Sequence, residues 1–151
     1  MPNPRGPRPG LEPEATASST SSSSKPLPEA ARLAWRGENI AAGYLESRGF
    51  EILARNWRTG RRELDIVALD GRVVAFVEVK TRSGGPQHPL EAITRAKRRE
   101  VRRAAAAWIR EHPGLGEEFR FDAVAVRFEV DPSLPSITSA TRSSARTPDQ
   151  A

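Results

Sequence analysis

The sequence predicts a mixed α/β fold of element order αβββαβ, a mixed sheet flanked by helices, and three observations carry that prediction. Two stretches have apolar residues at helical spacing, one before and one after a block of strand-like patterning. Within that block, Asp70-Gly71 sits between two apolar runs, the signal of a tight hairpin. After the second helix a last apolar run, 119–128, supplies a strand that a helical crossover can return parallel to its neighbour, with right-handed connection expected.

The first helix is expected over 30–48, ending at Gly49. Ala34, Ala41 and Leu45 form its inward stripe, with Ile40 and Tyr44 alongside. Glu38 lies on that same stripe, whereas Glu46 faces water. Phe50 to Trp57 alternates as a first strand, Thr59-Gly60 turns the chain, and Glu63 to Leu69 forms a second strand. Arg72 to Lys80 is almost uniformly apolar until Glu78, the pattern of a central strand covered on both faces. The polar stretch 81–88 reads as a loop, and Pro89 suits the first turn of a helix over 90–111 that stops before Pro113. Leu90, Ile93, Val101, Ala104 and Trp108 make its apolar stripe, on which Lys97 falls. Arg95, Arg98, Arg99, Arg102 and Arg103 occupy the other face.

The folded part is expected over residues 29–130, one domain within a 151-residue chain. Residues 1–28 hold seven prolines and a serine run, and 131–151 are rich in Ser, Thr, Pro and Arg. Such compositions bury too little surface to offset chain entropy, so both tails are expected to be disordered. No stretch reaches the roughly 18 apolar residues of a membrane span, and Met1-Pro2-Asn3-Pro4 begins no signal-peptide apolar core. Without cysteine there is no disulfide framework, zinc–thiolate site or thiol nucleophile, and a cytoplasmic location is expected. A net charge of +5 and a pI near 10.6 favour a polyanionic partner.

Two clusters concentrate the chemistry: Glu63-Leu64-Asp65 and Glu78-Val79-Lys80, both inside apolar strand patterns where desolvated charge is costly. With Asp70-Gly71 as a two-residue loop, Leu69 pairs with Arg72, Glu63 stands opposite Glu78 and Asp65 opposite Phe76. Glu63, Asp65, Glu78 and Lys80 then share one face, with opposed residues about 5 Å and diagonal ones about 7–8 Å apart. A two-residue change of register sets Asp65 opposite Glu78 and keeps the face, while a one-residue slip breaks it. Hard oxygen donors without cysteine favour Mg²⁺ or Mn²⁺ over zinc. An adjacent ammonium can orient a water and stabilise charge developing on a phosphate.

Asp65 followed by Glu78-Val79-Lys80 at the end of the next strand resembles the signature of the restriction-endonuclease-like, or PD-(D/E)XK, nuclease superfamily. Gly37-Glu38, Ala41-Ala42, Tyr44-Leu45, Ala54-Arg55-Asn56-Trp57, Glu63-Leu64-Asp65, Phe76 to Arg82 and Arg120-Phe121-Asp122 resemble, more narrowly, the bacterial YraN-like family, itself similar to archaeal Holliday-junction resolvases. The resemblance implies a DNA endonuclease acting on branched or damaged DNA, with Asp65 and Glu78 as metal ligands, Lys80 as the catalytic lysine and Glu38 as the acid that completes the site. Leu64 stands where the superfamily signature has proline. Arg82, Lys97, Arg98 and Arg102 are the candidate nucleic-acid contacts, and a resolvase-like enzyme would act as a homodimer.

Plainer readings of the same residues stand beside these. Glu78 and Lys80 fit an ion pair at a strand end, Glu38 a capping group, Lys97 a snorkelling stem and the arginine face a solvated surface. Gln87 and His88 fit a structural loop, Trp57 and Trp108 the core, and Asp122 an arginine partner. Two other functional classes also remain: a non-catalytic nucleic-acid-binding module that keeps the nuclease fold, and a basic RNA- or ribosome-associated domain.

Overall fold

The computed structural model describes residues 25–84, 94–128 and 134–146. Helix α1 spans Glu29–Ser47, strands β1, β2 and β3 span Glu51–Thr59, Arg62–Asp70 and Val73–Ser83, helix α2 spans Arg95–Glu111, and β4 and β5 span Glu118–Phe128 and Ser136–Arg146. The five strands lie side by side in chain order, antiparallel except for the parallel β3–β4 pair. This is the expected mixed sheet, with a helix on each face. No helix among the described residues is long and apolar enough to cross a membrane.

Helix α1 ends as its sequence requires. Gly49 takes φ of +88°, letting its N–H reach Glu46 O and the Phe50 N–H reach Leu45 O. The helix lays Ala41, Ala42 and Leu45 against Ile66, Ala68, Ala75, Val77 and Val79. Ala34, expected on the buried stripe, is exposed. On the opposite face, Val101, Ala104, Ala105 and Trp108 of α2 cover Leu64, Val67, Val74 and Phe76. Trp108 meets Phe76 edge to face at 5.7 Å, a geometry worth about 0.5–1.5 kcal/mol beyond its buried area. Arg95, Arg98, Arg99, Arg102 and Arg103 are exposed on the outer side of α2.

Three expectations need correction. Helix α2 begins at Arg95, where Thr94 caps it by accepting the Lys97 N–H at 3.1 Å. Pro89, Leu90 and Ile93, with Gln87 and His88, lie outside the described residues. The hairpin loop is Gly71-Arg72, so Asp70 pairs with Val73 and the register is two residues from the expected one. Gly71 at φ +60° supplies the positive-φ position that the first residue of such a turn needs. The tail expected to be disordered from 131 contains β5, paired antiparallel along β4 from Glu118↔Arg146 to Arg127↔Ser136. Its Ser- and Thr-rich composition signals little burial, but an open sheet edge satisfies the backbone of a polar strand, and Ile137 packs against the core. Residues 1–24 of the other tail lie outside the described residues.

Candidate active site

The site arises where β2 and β3 part. Their pairing stops at Ile66↔Val77. Beyond it β2 continues along β1 to Thr59↔Arg62, while β3 continues along β4 to Ser83↔Phe128. The fork has a local cause in β1 and β2. Ala54 and Trp57 both pack toward α2, as do their partners Val67 and Leu64. Strict alternation would put residues three apart on opposite faces. The break falls at Asn56, whose φ of +49° is the one positive value on a non-glycine residue among those described.

Asp65 lies at this break. Instead of standing on a face, its carboxylate reaches across the fork, and the Val79 N–H of β3 donates to Asp65 Oδ2 at 2.8 Å. A backbone donor freed by the separation of the strands thus positions the acid. Glu78, one residue earlier on β3, is 6% exposed and is the buried charged residue among those described. It points to the α2 side, where Lys80 Nζ and Lys97 Nζ each lie 3.4 Å from its Oε1. Two ammoniums therefore share one buried carboxylate oxygen.

Asp65 has no such partner, and its pKa is raised to about 7. Burial is the largest cause and the neighbouring Glu78 the next. The Val79 N–H and Lys97 oppose the rise, while Glu38 adds to it. Glu38 comes from α1 and lines a surface groove of about 460 Å³ with Ala34, Lys80, Thr81 and Arg82. The two helical layers thus meet the sheet at one place.

Gly37 sets the approach of α1. A Cβ there would collide with Thr81 Oγ1, so the helix rests its backbone on β3 directly before Glu38. Gly37→Ala is expected to push α1 off β3, destabilising the fold by about 1–3 kcal/mol through overpacking. It should also draw Glu38 away from Lys80, so that any activity falls more than the melting temperature alone explains. Urea unfolding and rate measurements on the same variant check both effects.

The structure places Asp65, Glu78 and Lys80 at one fork, with Glu38 in the adjoining groove that Lys80 also lines. It also adds Lys97, which the sequence pattern suggested for the nucleic-acid surface and which instead contacts Glu78. Its helical phase on the apolar stripe of α2 was the available signal. Arg82 is exposed at the groove rim. Arg98 and Arg102 lie on α2, where with Arg95 and Arg99 they line an open groove of about 550 Å³. Glu63, expected to share the face of the cluster, pairs instead with Arg58 across β1 at 3.1 Å, because the break at Asn56 disrupts the alternation on which that expectation rested. Asp122 accepts from Arg120, which also reaches Asp70.

Among the described residues no three His, Cys, Asp or Glu side chains converge closely enough to cage a cation alone. The Asp65–Glu78 pair nonetheless fits Mg²⁺ or Mn²⁺. Such ions commonly take one or two protein carboxylates and fill the remaining positions with water and substrate phosphate. Asp65 and Glu78 supply two hard carboxylates of that kind, with Asp65 held across the fork by the Val79 N–H.

Residues 37–126 match the family described as "Uncharacterised protein family UPF0102". Proteins named for that family are similar over the same core. One from Beutenbergia cavernae is 50% identical over 91 residues, covering 60% of this chain and 77% of that protein. One from Nocardia farcinica is 50% identical over 91 residues, covering 60% and 72%. One from Chlorobium phaeobacteroides is 46% identical over 92 residues, covering 60% and 73%.

Proposed function

This chain belongs to the UPF0102 family, and we propose that it is a metal-dependent endonuclease that hydrolyses DNA phosphodiester bonds at the fork between β2 and β3. UPF0102 is the YraN-like family whose motifs the sequence carries, within the restriction-endonuclease-like superfamily. The observation that carries the reading is the close Asp65–Glu78 pair, half-buried and buried, beside Lys80, which itself lines the groove that Glu38 walls in this basic protein.

Asp65 and Glu78 would hold Mg²⁺ or Mn²⁺, with Glu38 as a further carboxylate at the groove wall. When bound, the ion supplies Lewis acidity and neutralises charge on the scissile phosphate. Lys80, tied to Glu78 and partly open to the groove, holds an ammonium where negative charge develops on the phosphate and orients the attacking water. Val79 keeps Asp65 aimed across the fork through its N–H. Arg82 at the rim and Arg98 and Arg102 on α2 offer guanidinium groups to the phosphate backbone, making affinity fall steeply with salt. A branched DNA substrate, cut on two strands by a homodimer in the cytoplasm, suits this arrangement.

A pure nucleic-acid-binding module would need the arginines but would gain nothing from Asp65, a carboxylate facing phosphate at a cost in desolvation. The enzyme reading accounts for both features. Its test is cleavage of single-stranded, duplex and four-way-junction DNA with Mg²⁺ or Mn²⁺. Wild type should cut at least one substrate, and Asp65→Ala and Lys80→Ala should each lose about 10²–10³-fold or more, the scale for removal of one charge-stabilising group. Binding without cleavage on every substrate, unchanged by either substitution, would sink the reading.

A further inference from the structure

We infer that Trp35 is a stacking platform for an unpaired nucleobase, so that the site selects DNA with an unpaired strand beside the scissile phosphate; this rests on the endonuclease reading above. Trp35 is 60% exposed and is the exposed large aromatic residue among those described. It belongs to neither core cluster. An isolated exposed apolar side chain is unremarkable. Its place beside the fork is what carries the inference.

On α1, Trp35 precedes Glu38 by three residues and Asn39 by four, which puts all three on adjoining strips of one flank. One helical turn is about 5.4 Å, so the indole stands roughly that far along the axis from the acid at the groove. The flank faces the β1–β2 side of the fork, because Asn39 Oδ1 accepts from Arg55 Nη2 of β1 at 2.6 Å. Arg36, on the other flank, lies over the Phe128 ring 4.7 Å from its centroid. The indole therefore stands about one turn before Glu38 and before the Asn39 that holds the Arg55 guanidinium, on the same flank of α1.

That combination suits a nucleotide. The guanidinium of Arg55 complements the phosphate, and a flat apolar ring offers a stacking surface to any base with a free π-face. Such stacking tolerates every base, so it discriminates by strand state and not by sequence. A paired base inside a duplex presents no free face.

The test compares binding of a fluorescent oligothymidylate and a blunt duplex of equal length, in EDTA so that no metal-dependent hydrolysis proceeds. Trp35→Ala should weaken single-strand binding about tenfold or more, the scale of one lost stacking contact, while duplex binding stays within about twofold. Trp35→Phe should restore most of the loss. Thermal unfolding of Trp35→Ala should match wild type, since the indole is exposed and belongs to neither core cluster. Three results would each overturn the inference: equal single-strand affinity of wild type and Trp35→Ala, equal weakening toward both ligands, or no single-strand binding by wild type. Cleavage of DNA by wild type would leave the endonuclease reading standing in any of those cases, so the two can fail separately.

Discussion

Asp65→Asn should stabilise the metal-free fold at pH 8 and leave its stability unchanged near pH 4. The folded carboxyl keeps its proton to about pH 7, whereas an unperturbed aspartate loses it near 3.8. Between those values the folded state binds more protons than the unfolded chain. Each unit of rising pH in that window therefore lowers stability, by at most about 1.4 kcal/mol. The loss starts as pH passes the unfolded value and is complete above about 7. Asparagine does not ionise, yet its side-chain oxygen still accepts the Val79 N–H. Allowing for partial relaxation, the variant should gain about 2–4 kcal/mol at pH 8. Urea unfolding in EDTA at pH 4.5, 6 and 8 measures the difference. A gain that is flat across pH would show that shape, not charge, separates the two side chains.

Removing both ammoniums that face Glu78 should cost far more than removing either. Lys80 and Lys97 each lie 3.4 Å from the same Oε1, so Lys80→Met or Lys97→Met alone leaves the carboxylate a partner. The lysine side chains are 28% and 38% exposed and the glutamate side chain 8%, so each single pair is screened on its cationic side and should contribute only about 0.5–1 kcal/mol. The double variant strands a buried carboxylate beside Asp65, and breaking a buried pair in this way costs about 3–5 kcal/mol. A double-mutant cycle at pH 8 should therefore show a coupling of about 1–3 kcal/mol. Additive losses would mean that Glu78 turns to water when its partners are gone. Restoring Glu78→Gln in the double background should recover most of the stability, because the amide needs no counter-charge.

Much of this architecture was legible because periodicity reports burial directly. The α1 stripe placed Glu38 among apolar residues, and the α2 stripe placed Lys97 beside Val101 and Trp108, before any contact was known. Register was less legible. Asp70-Gly71 marks a hairpin, but which residues form the loop depends on the positive φ of Gly71, and the difference moves every pair by two. Glu78 and Lys80, two apart on β3, share a face whatever the register, so that pair survives the shift. The break at Asn56 left no trace in hydropathy, so Glu63 was grouped with the cluster although it pairs with Arg58. Strand β5 was missed for a related reason: backbone pairing at a sheet edge needs little apolar surface, and composition measures only surface.

The central claim is that the fork holds a divalent cation on Asp65 and Glu78, and Mn²⁺ binding at pH 8 tests it most directly. Isothermal titration of Mn²⁺ into wild type at pH 8 should show binding that vanishes in Asp65→Asn, with about half a proton released per ion when it is repeated at pH 7, and the melting temperature of wild type rising by mass action as Mn²⁺ increases. Mn²⁺ binding of equal strength in Asp65→Asn, or none in wild type up to millimolar concentration, would contradict it.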